Sequence, residues 1–390
     1  MTLRERVLAV LSYENCDRLP LVHFGFWSTW NSVLYRWSDE GHIDLESAQN
    51  WADGNTHDLK IAAKLGFDFN WQAMLNPATD LYPSFEPKVI EVFADGGRKV
   101  LNSYGAIVLE KDGAGSIPME FDHVLKGRKE WEEEYLQRLK FSPQRIEEAM
   151  VPTPDGLVRY DKGGLEYLRR KDREHPCGLH CGSLYGNIRS WLGLVGVSYL
   201  MVDDEELFDE IIQTVGDLCF RCTHYALSGG ALFDYGHFWE DICFKNGPLI
   251  APAVFRSKIG PQYRRITDLL KEHEVQIVSL DCDGWIDSLI STWVDNGVNT
   301  MFPIEVGTWN GSIGPWRETH GRQVLGVGGM NKHIFARDPD AVDQEIQRLE
   351  PLIKLGGYLP CPDHRIADDA QWENVKYYCA RMREMSASTG

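Results

Sequence analysis

The sequence predicts an α/β chain folded as a (β/α)8 TIM barrel, with a small antiparallel β insertion laid over the barrel mouth. Three observations predict it. Short apolar runs alternate with amphipathic stretches at roughly thirty residues per unit, the spacing of a βα repeat. The runs number about eight, as a (β/α)8 barrel requires. Several of them end abruptly in carboxylates or histidines, as buried parallel strands do where they emerge into an active-site mouth. A doubly wound open sheet fits less well, because no glycine-rich phosphate loop follows the first strand.

Length and charge bound the function. At 390 residues the chain suits a single barrel domain, 1–390, with an insertion at about 85–124. A net charge of −18 argues against a nucleic-acid or anionic-membrane surface, since both need a basic face. No apolar run reaches the ~20 residues that span a bilayer. The start, Met1-Thr2-Leu3-Arg4-Glu5-Arg6, lacks the apolar core of a signal peptide, so a cytoplasmic protein is expected. The nine scattered cysteines read as free core thiols. Cys219 and Cys222 form a C-x2-C without a second pair, which does not make a zinc ribbon.

In chain order, residues 2–12 form a short helix with Val7, Leu8 and Leu11 on one face, and Leu19–Gly25 is the first strand. Phe26, Trp27, Thr29 and Trp30 follow, aromatic walls for an apolar pocket in a strand-to-helix loop. A helix at His57–Leu65 leads to a strand at Gly66–Trp71. From Phe85 to Val124 the pattern alternates, with Asp95-Gly96-Gly97 and Asp112-Gly113 as turns, so an antiparallel insertion is expected. A charged helix at Glu130–Leu139 and a further helical segment before Val151 come next. Strands then fall at 177–181, 232–235, 276–280, 300–303, 324–327 and 358–360. Helices are expected at Asp203–Leu227, Pro252–Leu270, Trp285–Trp293, Trp316–His320 and Pro339–Leu355, the last with Pro339 near its start and Gly356-Gly357 at its end. The tail, 386–390, reads as disordered.

Chemistry concentrates where strands end. Val278-Ser279-Leu280-Asp281-Cys282-Asp283-Gly284 and Phe302-Pro303-Ile304-Glu305 are apolar runs that stop in carboxylates. Asp281 and Asp283 are two apart, so on an extended strand they face one way and Cys282 the other. Held close, they repel unless a metal, a cation or a shared proton joins them. The plainer alternative is that Asp283 begins a turn and caps the helix Trp285–Trp293. His23, Asp68, His180, His237 with Glu240, Glu305, Met330 with Asn331, and His364 fall at the other strand ends. Few cations stand among them, so a bound cation or raised carboxylate pKa values are expected. No Ser-His-Asp arrangement or nucleophile elbow is present, and lone histidines such as His42, His57 and His123 read as structural.

The chain resembles the uroporphyrinogen decarboxylase superfamily over most of its length. The resemblance runs through Arg4–Leu8, Asp17–Pro20, Gly247–Pro252, Asp281–Glu305, Gly328-Gly329-Met330-Asn331-Lys332 and Gly357–His364. It implies a barrel with the active site in its mouth. The true decarboxylase holds a tetrapyrrole's carboxylates with arginines just after the first strand, whereas here no Lys or Arg stands between that strand and Arg36. The nearer branch is the corrinoid-dependent methyltransferases, which move a methyl group between a small methylated substrate and a corrinoid on a partner protein. Several of these bind zinc through His-x-Cys and a late Cys. Asp281, Asp283 and His364 fall at those motif positions, which implies a divalent metal, zinc first, on a harder donor set. Such a set makes a stronger Lewis acid for cleaving a methyl ether. The resemblance therefore implies O-demethylation of an aryl methyl ether. His364, Glu305 and Glu240 are the acid/base candidates. His23, Trp27, His180, Tyr235, Trp239 and Met330 are candidate substrate contacts, the aromatic ones suited to a ring or, by cation–π attraction, a quaternary ammonium. A homodimer is one expected assembly. A decarboxylase or lyase acting on a small acid, and a non-catalytic binding barrel, are the alternatives.

Overall fold

The computed structural model describes residues 1–27, 32–111 and 118–387. Strand β1 (Val22–His23) pairs in parallel with β2 (Phe69–Asn70), and the chain turns at once into β3 (Met74–Leu75). Strand β3 is one edge of a seven-stranded sheet. Its other members are β4 (Gly178–Gly182), β5 (Tyr235–Trp239), β6 (Ile277–Asp281), β7 (Thr300–Ile304), β8 (Leu325–Met330) and β9 (Tyr358–Pro362), in chain order and all parallel. At the far edge the segment after β9 meets the segment after β1. Phe26 bridges Ile366 in parallel, Ile366 N–H donates to Gly25 O at 3.0 Å, and Trp27 N–H donates to Ile366 O at 3.1 Å. This order is compatible with the expected barrel.

Strands β6 to β9 are buried along their whole length, which is why they read as near-continuous apolar runs without alternation. Three of the helices start where side-chain oxygens cap free amides. Thr2 and Glu5 form a capping box for Leu3–Leu11, Asp204 caps Glu205–Ser228, and Asp338 caps Pro339–Ile353. Inside the strand layer Trp71 stacks on Tyr235, ring centroids 4.4 Å apart, with Phe302 beyond it. Gly178 permits that stack, since a Cβ there would lie 2.3 Å from the Tyr235 ring.

The insertion is a four-stranded antiparallel sheet of Lys88–Val92, Arg98–Leu101, Ala106–Glu110 and Met119–His123, paired in sequence order. Its first turn is the expected Asp95-Gly96-Gly97, with Gly96 at φ +83° and Phe93 N–H bonded to Gly97 O. The Asp112-Gly113 turn lies outside the described residues, as do Thr29 and Trp30.

Some expectations are corrected. Gly186–Asp203 is a helix that apolar periodicity did not single out, because its glycines and buried face blur the pattern. A second hairpin, Met150–Thr153 with Gly156–Arg159, stands where helix was expected to run up to Val151; its Pro154-Asp155-Gly156 turn was the available signal. The last helix, Trp372–Ala387, continues through Ser386, so the tail is ordered that far; 388–390 lie outside the described residues. All nine cysteines are free, and all but the half-buried Cys16 are buried. Among the described residues no helix is long and apolar enough to cross a membrane.

Candidate active site

Strands β4 to β9 run parallel, so their carboxyl ends share one face, and there most of the candidate groups meet. His364 follows β9. Its Nε2 lies 3.3 Å from Asp283 Oδ2, and its ring packs between Phe24 and Trp27 at 5.3 and 5.4 Å between centroids. The second ring nitrogen, Nδ1, and the second carboxylate oxygen of Asp283, Oδ1, are both buried without a hydrogen-bond partner. Two unpaired polar atoms on one Asp–His pair call for a further ligand. The capping role for Asp283 does not hold: the next helix begins at Asp287, with no side-chain cap.

Asp281 and Asp283 are close enough for the charge of one to act on the other. Burial pushes the Asp281 carboxyl well up, and the charges of Asp283 and Asp241 push it further. Its one hydrogen bond is from Gln72 Nε2, 2.7 Å from Oδ2. Cys282 points away, accepting a hydrogen bond from Ile242 N–H at 3.4 Å. Glu305 is nearby and is likewise pushed up by burial and then by Asp283. Its oxygens are engaged, accepting from Gly284 N–H at 2.6 Å and Thr308 O–H at 2.7 Å. Among the described residues no three His, Cys, Asp or Glu side chains are grouped so as to hold a metal ion. Asp281, Asp283 and His364 thus do not fit a three-ligand site as they stand.

Cations are closer than the sequence implied. Lys332 and Arg365 line a cavity of about 560 Å³ together with Trp27 and His364. Arg365 forms a bidentate pair with Asp53 at 2.7 and 3.1 Å. Burial lowers the Lys332 pKa, against the pull of Asp363, Asp283 and Glu305. Arg189 sits 3.6 Å from Asp241. The mouth is a balanced charge network, not a bare acidic one. Arg365 follows His364 directly, so its position at a strand end was visible; its partner Asp53 was not.

A second cavity, of about 640 Å³, lies between the strand ends and the antiparallel excursion, with His180, His237, Trp239, Gln72 and Arg365 on one side and Tyr104 and Met150 on the other. Burial pushes His180 down to about 4, and His237 is held well below its usual value by burial and by His180. Both rings are therefore neutral at pH 7.

Five expected site residues lie elsewhere. Glu240 is fully buried. It accepts hydrogen bonds from Ser183 O–H, the Leu184, Tyr185 and Gly186 amides, and Tyr263 O–H at 2.5 to 3.2 Å. It anchors the start of the helix Gly186–Asp203. Tyr235 opens β5 instead of closing the expected strand 232–235, so it sits at the far end, donating to Trp71 O at 2.9 Å. Met330 is wholly buried. His23 is too, its Nδ1 accepting from Gly25 N–H at 3.0 Å. Asp68 likewise precedes β2 and pairs with Arg18 at 2.7 and 2.8 Å, away from the mouth.

Comparison with solved structures finds a methyltransferase from Methanosarcina mazei at TM-score 0.60 and 14% identity, covering 99% of this chain and 99% of that one. The two chains share one fold. A protein from Listeria monocytogenes described as a vitamin-B12 independent methionine synthase matches at TM-score 0.34 and 13% identity, over 57% of this chain and 68% of that chain, too weakly to bear on the fold. No protein-family model and no curated protein sequence matches the chain.

Proposed function

We propose that this chain moves a methyl group from a small methylated donor, an aryl methyl ether first, to the cobalt of a corrinoid carried by a separate protein. The observation that carries it is the Asp283–His364 pair at 3.3 Å beside Trp27. The pair sits in a fold shared end to end with a methyltransferase. A closed (β/α)8 barrel of the uroporphyrinogen decarboxylase-like methyltransferase branch is part of the same proposal, supported by the hydrogen bonds between Gly25, Trp27 and Ile366.

A methyl group on neutral oxygen is a poor electrophile, so the oxygen must gain a proton as the carbon–oxygen bond breaks. Asp283 faces His364 Nε2, and Nδ1, buried without a partner, is the ring nitrogen from which a proton would pass to the departing oxygen. The electron pair of the broken bond stays on that oxygen. A reduced corrinoid, when bound at the mouth, supplies the nucleophile that takes the methyl group. In this reading Trp27, which lines the cavity with His364, and Trp239, which lines the second cavity, keep water from the donor. No step runs through a metal, since the three proposed ligands are not gathered. A divalent ion on Asp281, Asp283 and His364 is the competing proposal. One ion per purified chain, lost in Asp283→Ala, would favour it.

A lyase acting on a small acid draws on one observation, Lys332 and Arg365 beside His364. Single-turnover methylation of a reduced corrinoid protein, followed by its absorbance, separates the two. Methylation supports the methyltransferase, and carbon dioxide release without methylation supports the lyase.

A further inference from the structure

The cavity under the antiparallel excursion carries a donor whose direction the hydrogen bonds around it determine. Trp71, in the turn between β2 and β3, forms a buried chain with Ser279 of β6 and His237 of β5. Trp71 Nε1 is 3.2 Å from Ser279 Oγ, and Ser279 Oγ is 3.0 Å from His237 Nδ1. Trp71, Ser279 and His237 are at most 1% exposed. An indole N–H can only donate, so Ser279 Oγ accepts from Trp71. The Ser279 hydroxyl hydrogen then has one acceptor among the described residues, His237 Nδ1. The opposite arrangement would leave that hydrogen buried and unpaired. A neutral imidazole carries one hydrogen, so with Nδ1 accepting it sits on Nε2. Burial and the neighbouring His180 keep the ring neutral. His237 lines the cavity, and its Nε2 has no partner among the described residues.

We infer that this cavity receives the methyl donor as a neutral molecule and holds one of its acceptor oxygens on His237 Nε2–H, with Ser279 and Trp71 as positioning residues that set the tautomer. The inference deepens the methyl-transfer proposal and rests on it for the class of ligand. It assigns Ser279, in the apolar run before Asp281, to specificity. Trp71 donates along the chain but meets no ligand.

The test is made on the full chain with two probes of matched shape, methoxybenzene and ethylbenzene, titrated by calorimetry. Wild type should bind methoxybenzene about five- to tenfold more tightly, the size of one neutral hydrogen bond. His237→Leu should abolish that preference. Ser279→Ala should reduce it, and Ser279→Thr, which keeps the hydroxyl, should restore it. Nitrogen-15 spectra of labelled histidine read the tautomer directly: the His237 signal should show hydrogen on Nε2 in wild type and a mixture in Ser279→Ala. Hydrogen on Nδ1 in wild type, equal binding of the two probes, binding of neither, or a Ser279→Ala tautomer identical to wild type would each overturn the inference. Corrinoid methylation is not read here, so discrimination without methyl transfer removes the proposed function and leaves the site standing.

Discussion

Glu240 leaves the end of β5 and Asp283 leaves the end of the neighbouring β6, yet their surroundings differ in kind. Glu240 is sealed by five donors, three of them backbone amides of one helix start. Asp283 has one ring against one oxygen and nothing against the other. A buried carboxylate with every lone pair answered holds structure together. A half-exposed one, with a single buried oxygen left unpartnered beside an imidazole, is held ready for something else. The contrast teaches that depth in the mouth does not mark a catalytic group; unspent hydrogen-bonding capacity does.

The sharpest break of that comparison is at His364. His364→Ala should lower methyl transfer by roughly 10²–10⁴ while donor binding changes little. Stopped-flow absorbance of the corrinoid and a separate titration check it, and an unchanged rate would move the acid to Glu305.

At Glu240 the effect should fall on folding. Glu240→Ala leaves several buried donors unanswered and should cost roughly 3 kcal/mol or more of stability. Urea denaturation reads it. A variant as stable as wild type but inactive would return Glu240 to the chemistry.

Asp283→Asn should do the reverse, lowering the rate about tenfold to a hundredfold by removing the carboxylate that lies 3.3 Å from His364 Nε2, with no loss of stability. A clear drop in denaturation midpoint would make Asp283 structural like Glu240.

The smallest effect concerns Asp281. Its carboxyl pKa is raised in the folded chain by burial, then by Asp283 and Asp241. The folded state therefore holds its proton more tightly than the unfolded state, and stability is lost as pH rises from the unfolded value, about 3.9, through the raised one. Asp281→Asn removes that loss. Its stability should exceed wild type at pH 8 and the difference should shrink toward pH 4, measured by denaturation at both. A variant less stable than wild type at pH 8 would point to a cation bound at the pair.

The alternating apolar runs, the Asp95-Gly96-Gly97 hairpin and the Asp281/Asp283 pair were legible in the sequence, because each depends on local periodicity or turn chemistry. His364 at the mouth was legible through its motif. Strand boundaries were less so: a shift of a few residues carried Tyr235 from the expected mouth to the far end of β5. What only the tertiary structure decided is which polar atoms meet. Arg365 finds Asp53, 312 positions away, Trp71 reaches Ser279 across 208, and Glu240 collects its amides from a helix start 54 to 56 residues earlier. Such contacts follow from strand register and sheet order. A local pattern can say that a carboxylate lies at a strand end, but only the packed neighbours determine whether its lone pairs are already taken.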